Sequence, residues 1–268
     1  KLKYSISKII LEGPAETLQL TENTQPAILT VSYSIFKVLK DEFNFDLSSS
    51  KFFAGHSLGE YSALVCSNSL DFQDALYLLH ERGKAMQKAV PVGEGGMIAV
   101  LGAKIEDIKE IINSKISKTG ICEIANDNAE GQVILSGDKK SIDEMQALLK
   151  EKKIKSIPLK VSAPFHCSLM KPAAITMKEK IENVNFNNPS IKIVNNVTAK
   201  TEENSNDIKK LLVDQIFSSV RWRESVIHMS NEGVSNYIEL GPGKVLSGMV
   251  KRTLKNFNCF SINSITDI

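Results

Sequence analysis

The sequence predicts an α/β protein: a large three-layer α/β/α subdomain on a mainly parallel sheet, interrupted by a small α+β subdomain. Three observations carry this. Short apolar runs alternate with amphipathic stretches over most of the chain, the pattern of strands covered by helices on both faces. Residues 93–162 read β-α-β-β-α-β, the ferredoxin-like order, and their length suits an inserted unit. The flanks, 1–92 and 163–268, then form one discontinuous large subdomain around a strand–turn–helix at Gly55-His56-Ser57-Leu58-Gly59.

Composition narrows the function classes. Of 268 residues, 42% are hydrophobic and 24% charged, which is enough for a sizeable globular core. A net charge of +2 argues against nucleic acid as a partner. No apolar run reaches membrane-span length and the N-terminus lacks a secretory pattern, so a cytoplasmic protein that contacts no membrane is expected. Cys66, Cys122, Cys167 and Cys259 are scattered, with no Cys-x-x-Cys pair. That argues against a zinc site and a disulfide framework, and fits a reducing compartment.

In order, Thr24-Gln25-Pro26 opens a helix whose stripe is Ile28, Val31, Ile35, Val38 and Leu39. Lys51 to Ala54 is a short buried strand, and a helix starts at Leu58. The Gly-x-Ser-x-Gly between them is a nucleophile elbow: glycine at 55 and 59 fits a turn too tight for side chains. Ser57 is then exposed above the sheet, and the Leu58 amide, at a helix start, can receive an oxyanion. Asp71 caps the helix Phe72 to Ala89. On its apolar face, with Ala75, Leu79 and Met86, sits Arg82, and Gly83 beside it permits close packing. A buried cation needs an anion. The partner is either Glu60 or a substrate carboxylate, which arginine grips bidentately.

Within the insert, strands are expected at Gly96–Leu101, Cys122–Ala125, Gln132–Leu135 and Ile157–Val161. The middle two are joined by a loop of Asn126, Asp127, Asn128 and Gly131. The Ile105–Ile112 and Ile142–Leu149 stripes mark the helices. The chain leaves the insert at Ala163-Pro164-Phe165-His166-Cys167. His80 and His228 fall inside helical patterns and read as surface or packing residues; His56 cannot turn back through the elbow. His166 lies in a loop at the subdomain junction, where clefts form, and is the candidate base for Ser57. Helices follow at Met170–Ile181, Ile208–Phe217 and Arg221–Met229, with strands Ile191–Val194 and Tyr237–Leu240. Gly241-Pro242-Gly243-Lys244 lacks phosphate-loop spacing and reads as a structural turn.

Five motifs, in order and at matching spacing, resemble the malonyl-CoA:acyl carrier protein transacylases. They are Gly55-His56-Ser57-Leu58-Gly59-Glu60-Tyr61, Glu81-Arg82-Gly83, Pro164-Phe165-His166, Asn195-Asn196-Val197 and Glu239-Leu240-Gly241-Pro242-Gly243-Lys244. The resemblance implies a hydrolase-like large subdomain and a serine–histidine dyad. Malonyl would pass from malonyl-CoA to the phosphopantetheine thiol of acyl carrier protein in fatty-acid synthesis, with no metal or redox cofactor and as a monomer. It assigns Ser57 as nucleophile, His166 as base and Arg82 as ligand of the malonyl carboxylate. Gln215 would orient the histidine through its backbone carbonyl, in place of a triad acid. Phe165 and Leu58 fit the malonyl-selective pattern, and Gln25, Met86 and Asn128 are further substrate-binding candidates. The family's opening Gly-Gln-Gly-Ser-Gln segment, which supplies a second oxyanion amide, has no match before Leu18. Three rivals share features: an α/β-hydrolase, a polyketide synthase or malonate decarboxylase acyltransferase, and a non-catalytic carrier-protein-binding relative. A hydrolase would need an acid between serine and histidine, and normally a histidine near the C-terminus.

Overall fold

The computed structural model describes residues 2–116 and 120–268. Two short helices, α1 (Ile6–Glu12) and α2 (Ala15–Gln19), lead into α3 (Thr21–Asp41), which begins before the expected Thr24-Gln25-Pro26 start. Pro26 therefore lies inside the helix. It cannot donate to the Glu22 carbonyl, and an interior proline normally breaks a helix there. His80 fills the place: its Nδ1 lies 3.0 Å from that carbonyl. His80 is thus a backbone-satisfying residue rather than a bystander.

A 3₁₀ turn leads to β1 (Phe53–Ala54), the elbow, α4 (Gly59–Cys66) and α5 (Phe72–Ala89). Asp71 caps α5 as expected, accepting from the Gln73 and Asp74 amides. Gly83 lets α5 close on α3: a Cβ there would stand 2.4 Å from the Glu22 Cα. Gly83→Ala is expected to cost about 1–3 kcal/mol by overpacking, read as a lowered midpoint in thermal unfolding. An unchanged midpoint would mean the two helices can part without loss.

The insert holds β2 (Gly95–Leu101), α6 (Ile105–Lys115), β3 (Cys122–Ala129), β4 (Gln132–Asp138), α7 (Lys139–Glu151) and β5 (Lys155–Pro158). Its antiparallel sheet has the order β3-β4-β2-β5, the ferredoxin-like arrangement. One face, through Ile98, Val100 and Leu135, packs on the helices; the other, through Met97, Ala99 and Ala125, faces Phe165. Asn126, Asp127 and Asn128 are strand, not loop, and only Glu130-Gly131 turns between β3 and β4. Tertiary partners override their turn preference. Arg223 grips the Asp127 carboxylate at 2.9 and 3.0 Å, the Asp127 amide bonds Val220, and Asn128 meets His56. Register shifts in β3 accommodate them. At the other edge β5 ends at Pro158, short of the expected Val161.

The chain returns through α8 (Lys171–Glu182), β6 (Ile193–Val194), β7 (Thr201–Glu202), α9 (Ser205–Gln215), α10 (Trp222–Asn231), β8 (Asn236–Leu240), α11 (Val245–Thr253) and β9 (Asn258–Ile262). β1 pairs parallel with β6, β7 adds an antiparallel edge, and β8 and β9 form a separate parallel pair. Period-2 alternation makes the layers. Phe53 and Ile193 face a core built from α3, α4, α5, α8 and α9; Ala54 and Val194 face the core of α10 and α11. The α/β layering expected from sequence is observed, but the sheets are mixed: among the described residues the large subdomain has two short parallel pairs and an antiparallel edge in place of one mainly parallel sheet. Strands β7 and β9 and helix α11 were not legible. The glycine turn at 241–244 is structural: Glu239 accepts from the Leu246 and Ser247 amides and so caps α11.

Candidate active site

The elbow sits where β1 ends. Ser57 has φ +53°, a strained value for a non-glycine residue that pushes its side chain clear of strand and helix. Gly55 is required, since a Cβ would stand 1.9 Å from the Gly59 carbonyl. Gly59 is not required by space: a Cβ there meets nothing within 4 Å, so only one of the two elbow glycines answers to crowding. Asn196 fixes the turn from below. Its Oδ1 accepts from the Ser57 amide at 2.7 Å and its Nδ2 donates to the Gly55 carbonyl at 2.8 Å. With the Ser57 amide committed, the Leu58 amide at the start of α4 has no acceptor among the described residues, which suits an oxyanion donor.

His166 arrives from the junction loop, also at positive φ, +58°. Its Nε2 stands 2.7 Å from Ser57 Oγ and its Nδ1 2.9 Å from the Gln215 carbonyl. A carbonyl only accepts, so Nδ1 carries the hydrogen and Nε2 presents its lone pair to the hydroxyl. Burial, and then the charge of Arg82, push the imidazole down to about 3, so the resting ring is neutral. The junction is braced from the insert: Glu123 on β3 accepts from the Ser168 amide at 2.9 Å and hydroxyl at 2.6 Å.

Arg82 is 1% exposed. Its Nη1 donates to Gln25 Oε1 at 2.6 Å, and its Nη2 to Gln215 Oε1 at 2.9 Å and Ser57 Oγ at 3.1 Å. Its Nε has no partner among the described residues. Arg82 makes no ion pair with Glu60, so the internal salt bridge offered as one reading from sequence is absent. The Gln215 side chain stands between them, giving its oxygen to Arg82 and its nitrogen to Glu60 at 2.8 Å. Gln215 therefore acts through its side chain as well as its carbonyl, a second role that sequence reasoning missed. Asn195 and Asn196 complete the cluster by donating to Glu60.

The remaining candidates divide. Gln25 holds Arg82, with Met86 Sδ 4.0 Å from its Nε2. Phe165 is half-buried between the two subdomain cores, next to His166. Asn128 Oδ1 meets His56 Nε2 at 2.8 Å and His56 packs edge-on against Trp222, so Asn128 braces the elbow. Among the described residues no three metal-ligating side chains converge, the four cysteines are free, and no helix is long and apolar enough to cross a membrane.

A serine and a histidine joined at an elbow, beside a free amide at a helix start, are suited to carrying an acyl group on the serine oxygen. Residues 1–266 match the acyl transferase domain family. The malonyl CoA-acyl carrier protein transacylase of Haemophilus influenzae is 44% identical over 267 residues, 98% of this chain and 84% of that one. Its Bacillus subtilis counterpart is 41% identical over 263 residues, 98% and 82% of the two chains. The acyl carrier protein S-malonyltransferase of Vibrio cholerae superposes with a TM-score of 0.94 at 39% identity, covering 98% of this chain and 85% of that one. A malonyl-transacylase solved with a type II polyketide synthase acyl carrier protein gives 0.94 at 37%, covering 98% and 84%. The chain belongs to the malonyl CoA-acyl carrier protein transacylase family.

Proposed function

We propose that this chain moves malonyl from malonyl-CoA to the phosphopantetheine thiol of an acyl carrier protein, through an ester on Ser57. One observation carries the reading: Ser57 Oγ lies within hydrogen-bond reach of both His166 Nε2 and Arg82 Nη2. One methylene separates the two carboxyl carbons of malonyl. A cation touching the nucleophile oxygen is therefore placed for the free carboxylate of an acyl group bound to that oxygen.

His166 takes the Ser57 proton as Oγ attacks the thioester carbon, and the Leu58 amide stabilises the oxyanion. The carbon–sulfur bond breaks, and the departing thiolate takes the proton from His166. The carrier thiol then gives its proton to His166, attacks the ester, and Ser57 recovers the proton. Electrons and protons move between Ser57, the imidazole and the two thiols, so the step needs no metal or redox cofactor. The free thiols support a reducing, cytoplasmic setting.

Mixing the protein with malonyl-CoA should leave a malonyl mass on the peptide that contains Ser57, and none in Ser57→Ala. Label on a cysteine peptide, or unchanged labelling in Ser57→Ala, would overturn the reading.

A further inference from the structure

Glu60 lies in the first turn of α4, three residues past the nucleophile, and is 1% exposed. Its carboxylate accepts from Asn195 Nδ2 at 2.5 Å, the Asn196 amide at 3.1 Å and Gln215 Nε2 at 2.8 Å. All three partners are donors. The arrangement suits an ionised carboxylate, and none of the three offers an acceptor for the hydrogen of a protonated one.

This has a consequence one residue away. Gln215 turns Nε2 toward Glu60 and toward the Ser57 carbonyl, 3.0 Å away, so its Oε1 faces Arg82 Nη2. A flipped amide would put its NH₂ against the guanidinium and its oxygen against the carboxylate, two repulsive contacts in a buried site. Gln25 holds the guanidinium from the other side through Nη1. Arg82 is thus held between two amide oxygens, and one of them owes its orientation to Glu60 and the Ser57 carbonyl acting together.

We infer that Glu60 is a positioning residue for substrate selection: its ionised carboxylate orients the Gln215 amide, which holds the Arg82 guanidinium where the acyl carboxylate is received. The inference rests on the malonyl reading above. Burial raises Glu60 to about 7, against the pull of its three hydrogen bonds and Arg82. Its proton therefore returns as the pH falls below neutrality, and the Gln215 contact loosens with it. In the free enzyme burial moves the other ionisable groups of the cluster away from neutrality. Tyr61, beside Glu60 on α4, is pushed up to about 12, and His56 and His166 are lowered, the latter to about 3. Arg82 itself stays charged.

A rival effect has the opposite sign. A neutral Glu60 removes an anion near Arg82, which would favour a second carboxylate. The Gln215 amide separates the two groups, so lost geometry outweighs lost repulsion.

The experiment compares kcat/KM for malonyl-CoA and acetyl-CoA, which share every contact except those to the free carboxylate. In Glu60→Gln the malonyl-to-acetyl ratio should fall about ten- to hundredfold, the scale of a charge-linked hydrogen bond, chiefly through a higher KM for malonyl-CoA. In the unmodified enzyme the ratio should fall as pH drops from about 8 to about 5.5. That second series needs no variant to fold. Equal losses on both substrates, a ratio that rises, or a ratio flat across that pH range would each overturn the inference. Absence of malonyl transfer by the unmodified enzyme would remove the functional reading and this one together, whereas an unmoved ratio removes this one alone.

Discussion

His166→Ala is expected to slow acylation of Ser57 by about 10⁴–10⁶-fold, the scale seen when a nucleophile–base pair is broken. The hydroxyl then has no neutral acceptor for its proton. Its remaining neighbour, Arg82 Nη2, only donates. Single-turnover thiol release from malonyl-CoA measures the loss, and a loss below about tenfold would mean that another group takes the proton. Gln215→Ala separates two functions of one residue. The carbonyl stays, so His166 keeps its tautomer and acetyl transfer should fall only a few-fold. The side chain goes, so Arg82 and Glu60 lose their bridge and malonyl transfer should fall further. Equal losses on both substrates would make the side chain structural only.

The parts of this site that sequence conveyed are those whose chemistry demands a residue type at a fixed spacing. Gly55 and Ser57 follow from the elbow, and Arg82 stood out because a cation on an apolar stripe needs a partner. His166 was singled out by its loop position after a proline, but its 2.7 Å contact joins residues 109 positions apart, which no local pattern encodes. The buried amides were harder to read. Asn126, Asp127 and Asn128 look like a loop, because asparagine and aspartate favour turns when nothing else claims them. Here Arg223, Val220 and His56 claim the latter two, and the strand continues. Gln215 and Glu60 are ordinary helix residues by composition. Their function exists only where α4, α5 and α9 converge. The Pro26 start failed for a related reason: His80, on a different helix, supplies the missing donor. The Asn195-Asn196 pair was a usable signal, since adjacent amides just past a buried strand must find partners inside the protein.

Arg82→Ala is expected to lower malonyl transfer by roughly 10²–10³-fold, because truncating one partner of a buried charge pair costs about 2–5 kcal/mol. Its effect on acetyl transfer should be absent or of the opposite sign. The charge of Arg82 is the second cause, after burial, that depresses His166. A malonyl carboxylate seated on the guanidinium offsets that charge, so the cognate substrate strengthens the base that takes the Ser57 proton. Acetyl brings no carboxylate and must react with the depressed base. Removing the cation relieves the base for acetyl while removing the seat for malonyl, so acetyl transfer should hold or rise. Phe165 is expected to supply the steric half of the choice. It is half-buried beside His166 between the two cores, and Phe165→Ser should raise methylmalonyl transfer relative to malonyl. Rates with malonyl-, methylmalonyl- and acetyl-CoA in the three proteins decide both points. If Arg82→Ala lowers all three alike, the arginine only holds Gln25, Gln215 and Ser57 in place, and the choice of a carboxylate-bearing acyl group lies elsewhere. If Phe165→Ser leaves the malonyl-to-methylmalonyl ratio unmoved, the ring only fills space between the subdomains.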